Sequence, residues 1–253
     1  MENIRIIPRL DIKGLNVVKG MHTEGLRVVG NPRDFALRYY NEGADELLYM
    51  DIVASLYQRN LDFDLLKSVA DGVFIPITVG GGIRSIGDIY NALRAGADKV
   101  AINTYPISNP KFIKEAANKF GSQCITLSVE AKKIGEGKWE AYTDGGREKT
   151  GIDAVDWVKR AIDYGIGEVL ITSIDKEGTR RGYDHDLVGA ITAFANIPVI
   201  AHGGAGDMAS VRDVVSSCRT NAVSAASAFH YKDYSIQELK KFLKKEKINV
   251  RLE

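Results

Sequence analysis

The amino-acid sequence predicts a (β/α)8 barrel built from two similar halves, and three observations support this fold class. Short apolar runs alternate with helix-like stretches along the whole chain. The glycine-rich segment 75–82 (IPITVGGG) has a counterpart half a chain away in segment 197–204 (IPVIAHGG), as expected for a duplicated half-barrel. The length of 253 residues suits one such barrel. We therefore expect a single domain over residues 1–253.

Eight runs are expected to form the barrel strands. They are short and mostly apolar, which is typical of parallel strands that are covered on both faces. In chain order they are Arg5–Asp11, Glu46–Asp51, Phe74–Val79, Lys99–Asn103, Gln123–Glu130, Glu168–Ser173, Pro198–Ala201 and Ala222–Ala226. Their alternation with helices predicts a parallel sheet that closes on itself.

Start signals predict where the intervening helices begin. Asn31 and Asn109 each precede a proline, which predicts a helix capped by the asparagine and opened by the proline. Two pairs have the spacing of a capping box, namely Ser85 with Asp88 and Ser235 with Glu238. The lysine-rich helix 240–247 is expected to present a solvated face.

Two connections are too long to be plain turns. Segment 14–30 follows the first strand, and segment 132–150 follows the fifth strand in the equivalent place of the second half. Both are expected on the face of the barrel where active sites are built. We interpret them as functional loops, in which Lys19 could close over a bound phosphate as a mobile cation.

Composition excludes several classes of protein. The formal net charge of +1 argues against a general nucleic-acid binder, and no apolar run approaches the roughly 18 residues that cross a bilayer. Cys124 and Cys218 lack metal-ligand spacing, and Cys124 is expected to be a reduced core residue. We expect a cytoplasmic protein with no membrane contact, no metal and no other cofactor.

Carboxylates at strand ends are the first candidates for chemistry. Asp11 ends the first strand and Glu130 ends the fifth, which lies opposite in an eight-stranded barrel. Two acids that converge over the barrel mouth suit general acid/base work on one substrate. Alternatively, each could cap a helix or pair with a nearby lysine. There are three weaker candidates: Asp51 at the end of the second strand, and Asp175 and Glu177 after the sixth.

Small residues at four strand ends predict two sites for phosphate. Bare backbone N–H groups at such ends suit an anion, and Gly178 could bring its backbone close to one. The first phosphate site comprises Gly81, Gly82, Asn103 and Thr104, and the second comprises Gly203, Gly204, Ala226 and Ser227. One glycine pair could be only a tight turn, but its repetition favours a ligand with a phosphate at each end.

Charged residues also open four of the strands, at the other end of the barrel. These residues, called here the floor ring, are Arg5, Glu46, Lys99 and Glu168. Two cations and two anions could pair into a net-neutral gate under a channel. Alternatively, they could form a solvated ionic rim, because burying such charges is costly.

The sequence resembles the cyclase subunit of imidazole glycerol phosphate synthase along its whole length. The matching segments are 6–8 (IIP) with 10–11 (LD), 17–20 (VVKG), 78–83 (TVGGGI), 97–100 (ADKV), 102–104 (INT), 120–123 (FGSQ), 172–175 (TSID), 182–184 (GYD) and 249–252 (NVRL). The resemblance implies a (β/α)8 barrel that receives ammonia from a glutaminase subunit. It implies conversion of a bis-phosphorylated ribulosyl formimino carboxamide ribonucleotide to imidazole glycerol phosphate and an aminoimidazole carboxamide ribonucleotide.

The resemblance also implies roles for individual residues. Asp11 would be the general acid/base, with Glu130 as its partner, and Thr172 would contact substrate. The two phosphate sites would hold the two phosphates, and the floor ring would be the gate for ammonia. Asp98 and Gln123 would lie on the face that docks the glutaminase.

Several strand ends depart from the family pattern. Arg9 replaces a cysteine, Glu130 and Glu177 replace aspartates, and His202 replaces a serine. A Gly-Ala-Asp turn is replaced by segment 219–221 (RTN). These departures leave open a divergent paralogue that channels ammonia for amidation of a surface sugar without cyclase activity, or a scaffold subunit without chemistry.

Arg9 is the departure with the clearest consequence. It shares strand parity with Asp11 and so points into the barrel. A buried guanidinium needs a partner, and we expect Arg9 to pair with Glu130 and with Asp11. Such pairing would hold both carboxylates ionised and make each a poorer general acid.

Overall fold

The computed structural model describes residues 3–22 and 24–252, and at its centre is a closed barrel of eight parallel strands. In chain order the strands are β1 (Arg5–Lys13), β2 (Asn16–Met21), β3 (Glu24–Gly30), β4 (Leu47–Asp51), β5 (Ile77–Gly80), β6 (Lys99–Ile102), β7 (Ile125–Gly135), β8 (Lys138–Thr143), β9 (Glu148–Asp153), β10 (Glu168–Ser173), β11 (Val199–His202) and β12 (Ala222–Ala225). The barrel order is β1-β4-β5-β6-β7-β10-β11-β12, and β12 pairs with β1 to close it. The predicted (β/α)8 fold is confirmed.

Helices cover the outside of the barrel. In chain order they are α1 (Pro32–Asn41), α2 (Phe63–Ala70), α3 (Ile86–Arg94), α4 (Thr104–Ser108), α5 (Lys111–Phe120), α6 (Ala154–Tyr164), α7 (His185–Thr192), α8 (Met208–Cys218), α9 (Ser227–His230) and α10 (Ile236–Lys245). The short helices α4 and α9 follow β6 and β12 directly, at equivalent places in the two halves. Within residues 3–22 and 24–252, no helix is long and apolar enough to cross a membrane.

The two long connections form β-hairpins, which corrects their interpretation as loops. β1 runs on past the barrel and pairs antiparallel with β2, which pairs with β3. β7 does the same with β8 and β9. The strands β3 and β9 are largely exposed and carry charged residues, so they lack the apolar runs that mark the barrel strands.

The capping signals are confirmed in part. Asn31 accepts a hydrogen bond from the Arg33 N–H at 2.9 Å, and Ser235 with Glu238 forms a complete capping box. The prediction for Asn109 is wrong, because Asn109 is the C-cap of α4 and α5 begins only at Lys111, with Pro110 at its N-cap. Ser85 caps α3, but the Asp88 carboxylate accepts from the Arg84 N–H instead of closing the box.

Two apolar layers hold the barrel together. The larger lies between strands and helices, where Trp139 and Trp157 are among the largest fully buried side chains. The smaller comprises Ile7, Leu48, Met50, Ala101, Leu170, Ile200 and Ala222. Cys124 is half-buried and packs against the larger layer, so its assignment to the core is confirmed only in part, and both cysteines are free.

The sequence predicted a solvated basic face for α10, and this prediction is only partly correct. Lys240 is buried, and its Nζ donates to the Gly43 carbonyl and contacts Asp45 Oδ1, both at 2.7 Å. Asp45 Oδ2 in turn accepts from the Ile6 N–H at 2.8 Å. Lys240 therefore ties the last helix to the beginning of β1.

Candidate active site

The strand ends that were predicted to carry chemistry meet in one cavity at the mouth of the barrel. Asp11 on β1 and Glu130 on β7 are both buried and both line this central cavity. Other lining residues are Arg9, Lys19, Thr172, Glu177 and Arg147. The predicted convergence of the two acids over the mouth is confirmed, whereas their catalytic roles stay a prediction.

Asp11 is held ionised by two buried cations. Arg9 Nε lies 2.7 Å from Asp11 Oδ1, and Lys19 Nζ lies 3.0 Å from Asp11 Oδ2. Burial alone would raise the pKa of Asp11, but the positive charges of Arg9 and Lys19 outweigh it and lower the pKa to about 2. Asp11 is therefore a carboxylate at neutral pH.

Glu130 behaves in the opposite way, and this corrects the expectation that Arg9 holds both acids ionised. Among the described contacts, Arg9 forms an ion pair with Asp11 and not with Glu130. The partner of Glu130 Oε2 is the Asn103 amide, at 3.0 Å. Burial raises the pKa of Glu130 to about 7, because the Arg9 charge and the Gly146 N–H offset it only in part.

The two acids thus titrate far apart although they line one cavity. At neutral pH Asp11 can accept a proton, whereas a large fraction of Glu130 carries one and can donate it. Pairs of titratable groups whose environments separate their pKa values are typical of acid/base sites. The arrangement suits proton transfer in both directions on a bound ligand.

Lys19 is not the free mobile cation that the sequence suggested. It is buried, and its Nζ contacts both Asp11 Oδ2 and Glu177 Oε1. Because β2 carries Lys19 and Glu177 follows β10, these contacts join the first hairpin to the sixth loop. The His22 N–H donates to the Glu177 carbonyl at 2.9 Å and strengthens the same junction.

Glu177 and His202 are the site residues that sequence reasoning undervalued. His202 Nε2 lies 3.1 Å from Glu177 Oε2, and His202 Nδ1 lies 3.0 Å from Ser224 Oγ. Burial lowers the pKa of His202, and this exceeds the opposing effect of Glu177. The signal was present in the sequence, because an acid and a histidine depart from the family pattern at the ends of two neighbouring strands.

The residues of each predicted phosphate site lie together. The first phosphate site lines one pocket, and the second lines another together with Gly178. Gly81 has a φ of +106°, and a Cβ there would lie 2.2 Å from the Asp51 carbonyl oxygen. Gly204 has a φ of +96°, and a Cβ there would lie 2.2 Å from the Gly182 carbonyl oxygen. Only glycine fits these two positions.

The helices at the two phosphate sites begin in the same way. Asn103 precedes α4 with φ −135° and ψ −76°, and Ala226 precedes α9 with φ −122° and ψ −71°. Neither residue caps its helix through a side chain. The first N–H groups of both helices therefore lack a side-chain acceptor from the cap residue, which leaves them available to an anion.

Two acids near the mouth have structural partners instead. Asp51 Oδ2 lies 2.7 Å from Arg59 Nη2. Asp175 Oδ2 accepts from the Lys133 N–H at 2.8 Å and so joins the sixth loop to β7. Thr172, at the end of β10, does line the central cavity, and its buried hydroxyl has no hydrogen-bond partner among the described residues.

The floor ring closes into four ion pairs at the opposite end of the barrel, as the paired alternative predicted. Arg5 lies 2.6 Å from Glu46 and 2.8 Å from Glu168. Lys99 lies 3.2 Å from Glu46 and 3.1 Å from Glu168. Each charge contacts two of opposite sign, which offsets the cost of burying them.

Comparison of the sequence with known proteins identifies the family of this chain. The sequence model of a family described as "Histidine biosynthesis protein" matches residues 5–235. A Legionella pneumophila protein named imidazole glycerol phosphate synthase subunit HisF is 58% identical over 208 residues, which cover 82% of this chain and 98% of that protein. A Streptococcus mutans protein of the same name is 48% identical over 247 residues, 98% of each chain. The chain therefore belongs to the histidine biosynthesis protein family, among the HisF subunits of imidazole glycerol phosphate synthase.

Proposed function

We propose that this chain is the cyclase subunit, a lyase of histidine biosynthesis. It converts a bis-phosphorylated ribulosyl formimino carboxamide ribonucleotide and ammonia into imidazole glycerol phosphate and an aminoimidazole carboxamide ribonucleotide. The observation that carries the proposal is the pair of buried acids, Asp11 and Glu130, in a cavity that shares lining residues with the pockets of both predicted phosphate sites. The names of both relatives support the cyclase over the sugar-amidation alternative.

The chemistry of reactant and products requires protons to move at several atoms. Ammonia must add to the ribulosyl carbonyl, water must leave, and the aminoimidazole nitrogen must be displaced as the new ring closes. Asp11 is ionised at neutral pH, so it stabilises the positive charge that develops on the attacking nitrogen and then accepts its proton. Glu130, whose pKa is raised to about 7, returns a proton to the departing oxygen or nitrogen. The two phosphate sites hold the ends of the substrate and keep its middle between the acids.

Ammonia would reach the site through the barrel. The floor ring lies at the end opposite the acids, and the small apolar layer of Ile7 and its neighbours lies inside the barrel. We propose that the floor ring is the gate and that a glutaminase subunit docks on this face as a heterodimer partner. The exposed residues Asp98 and Gln123 lie at the N-terminal ends of β6 and β7, as the resemblance implies for the docking face. The cytoplasmic setting stays a prediction.

Steady-state assays with ammonium salt test the cyclase directly. The purified chain with the ribulosyl substrate should form both products in equal amounts. Asp11→Asn removes the base and should lower kcat by about a hundredfold or more, with thermal unfolding as a control for folding. Absence of both products with the unmodified chain would refute the proposed function.

A further inference from the structure

Arg9 has a donor for which the described residues provide no acceptor. Its side chain is 6% exposed, and Nε is used in the ion pair with Asp11. Its Nη1 is buried and makes no hydrogen bond to the described residues. A buried N–H without an acceptor is costly, and the cost is greater on a charged group. The position therefore favours a ligand that brings an acceptor to Nη1.

Arg9 also lies where the middle of a two-phosphate ligand would be. It lines the pocket of the first phosphate site and it lines the central cavity. Glu130 is the other charged residue among those that line both. A ligand anchored at the first phosphate site and reaching Asp11 must therefore pass Arg9.

The charges around Arg9 indicate what kind of acceptor fits. Arg9 and Lys19 are balanced by the carboxylates of Asp11 and Glu177. Burial lowers the pKa of His202, so its imidazole adds no positive charge at neutral pH. These four ion-paired groups have no net charge, and the positive charge of Arg147 on the same cavity is opposed in part by Glu130. Such surroundings are poorly suited to a further phosphate, whereas a neutral oxygen needs only a hydrogen-bond donor.

We infer that Arg9 contacts the substrate, and that its Nη1 donates a hydrogen bond to the carboxamide carbonyl oxygen. This inference rests on the proposed function, which defines the substrate, and adds to it a residue that differs from the family pattern. Arg9 then has two tasks. It holds Asp11 ionised through Nε and positions the carboxamide end of the ligand through Nη1.

The two products of the reaction allow a direct test, because each has one phosphate but only the aminoimidazole carboxamide ribonucleotide has a carbonyl group. We would measure the binding of both products by calorimetry to the unmodified chain and to Arg9→Met. The variant should bind the carboxamide ribonucleotide about tenfold to a hundredfold more weakly. Its affinity for imidazole glycerol phosphate should stay within about threefold. Arg33→Met is the matched control, since Arg33 pairs with the exposed Asp71 on the outside of the barrel.

Arg9→Lys keeps the test informative if the methionine variant fails to fold. Lysine preserves a cation beside Asp11, but its single nitrogen cannot occupy both the Nε and the Nη1 positions, so it should show the same selective loss. Equal weakening of both products, or no weakening of either, would overturn the inference alone. If the unmodified chain binds neither product, the proposed function fails, and the inference fails with it.

Discussion

The protonation of Glu130 should control how turnover depends on pH. Burial raises the pKa of this carboxyl to about 7, and a general acid works only when protonated. Between pH 6 and pH 8 the protonated fraction falls from about nine tenths to about one tenth, so kcat should fall about tenfold. The rate of imidazole glycerol phosphate formation should be measured at saturating substrate. The free ammonia concentration must be held constant, because it rises with pH on its own.

Two variants separate Glu130 from other titrating groups. Glu130→Gln keeps the shape but cannot donate a proton, so kcat should fall by about a hundredfold or more and the residual rate should lose the alkaline decline. Glu136→Gln, at an exposed position after β7, should keep the full pH profile. The reasoning is refuted if the unmodified enzyme shows no alkaline decline, or if Glu130→Gln retains it.

Three changes should alter stability in defined directions. The raised pKa of Glu130 contributes stability that is complete below pH 4.5 and lost as pH rises through about 7. The glutamine cannot ionise, so the free energy of unfolding of Glu130→Gln, relative to that of the unmodified chain, should rise by about 3 kcal/mol between pH 4 and pH 8 in urea unfolding. A difference that does not change with pH would contradict this. Lys19→Met leaves two buried carboxylates short of a cation and should cost about 3 kcal/mol. The control Lys67→Met breaks only the exposed pair with Asp64 and should cost less than about 1 kcal/mol. Arg219 has a left-handed φ of 53°, so Arg219→Gly should stabilise by about 1 kcal/mol in thermal unfolding, and a lower Tm would count against the strain.

The sequence predicted the barrel because its strands are buried on both faces, and such strands form uniform apolar runs. The hairpin strands β3 and β9 are largely exposed and have no such signal. At Asn109 the pattern was displaced by one residue, because the asparagine ends α4 before α5 begins. The sequence also predicted that the residues of each phosphate site lie together, because Gly81 and Gly204 must be glycine for local reasons. Phosphate binding there stays a prediction.

The partners of Arg9 could not be read from residue types. Asp11 lies two residues along the same strand face, whereas Glu130 lies across the barrel and contacts Asn103, which follows the neighbouring strand β6. The pKa of Glu130 depends on whether burial or the Arg9 charge has the larger effect, and this balance needs coordinates. The sequence could not predict the contacts of Glu177 with Lys19 and His202 either, because they join three separate parts of the chain.

The central claim is that two acids in one cavity titrate far apart, so that at neutral pH Asp11 is fully ionised while about half of Glu130 is protonated. A carboxyl-carbon NMR titration of protein labelled at glutamate and aspartate measures this directly, with Glu130→Gln and Asp11→Asn used to assign the signals. The account predicts one glutamate with a pKa near 7, and Asp11 still ionised at pH 4. It is contradicted if Glu130 titrates like an exposed glutamate, near 4.3, or if Asp11 takes up its proton above pH 4.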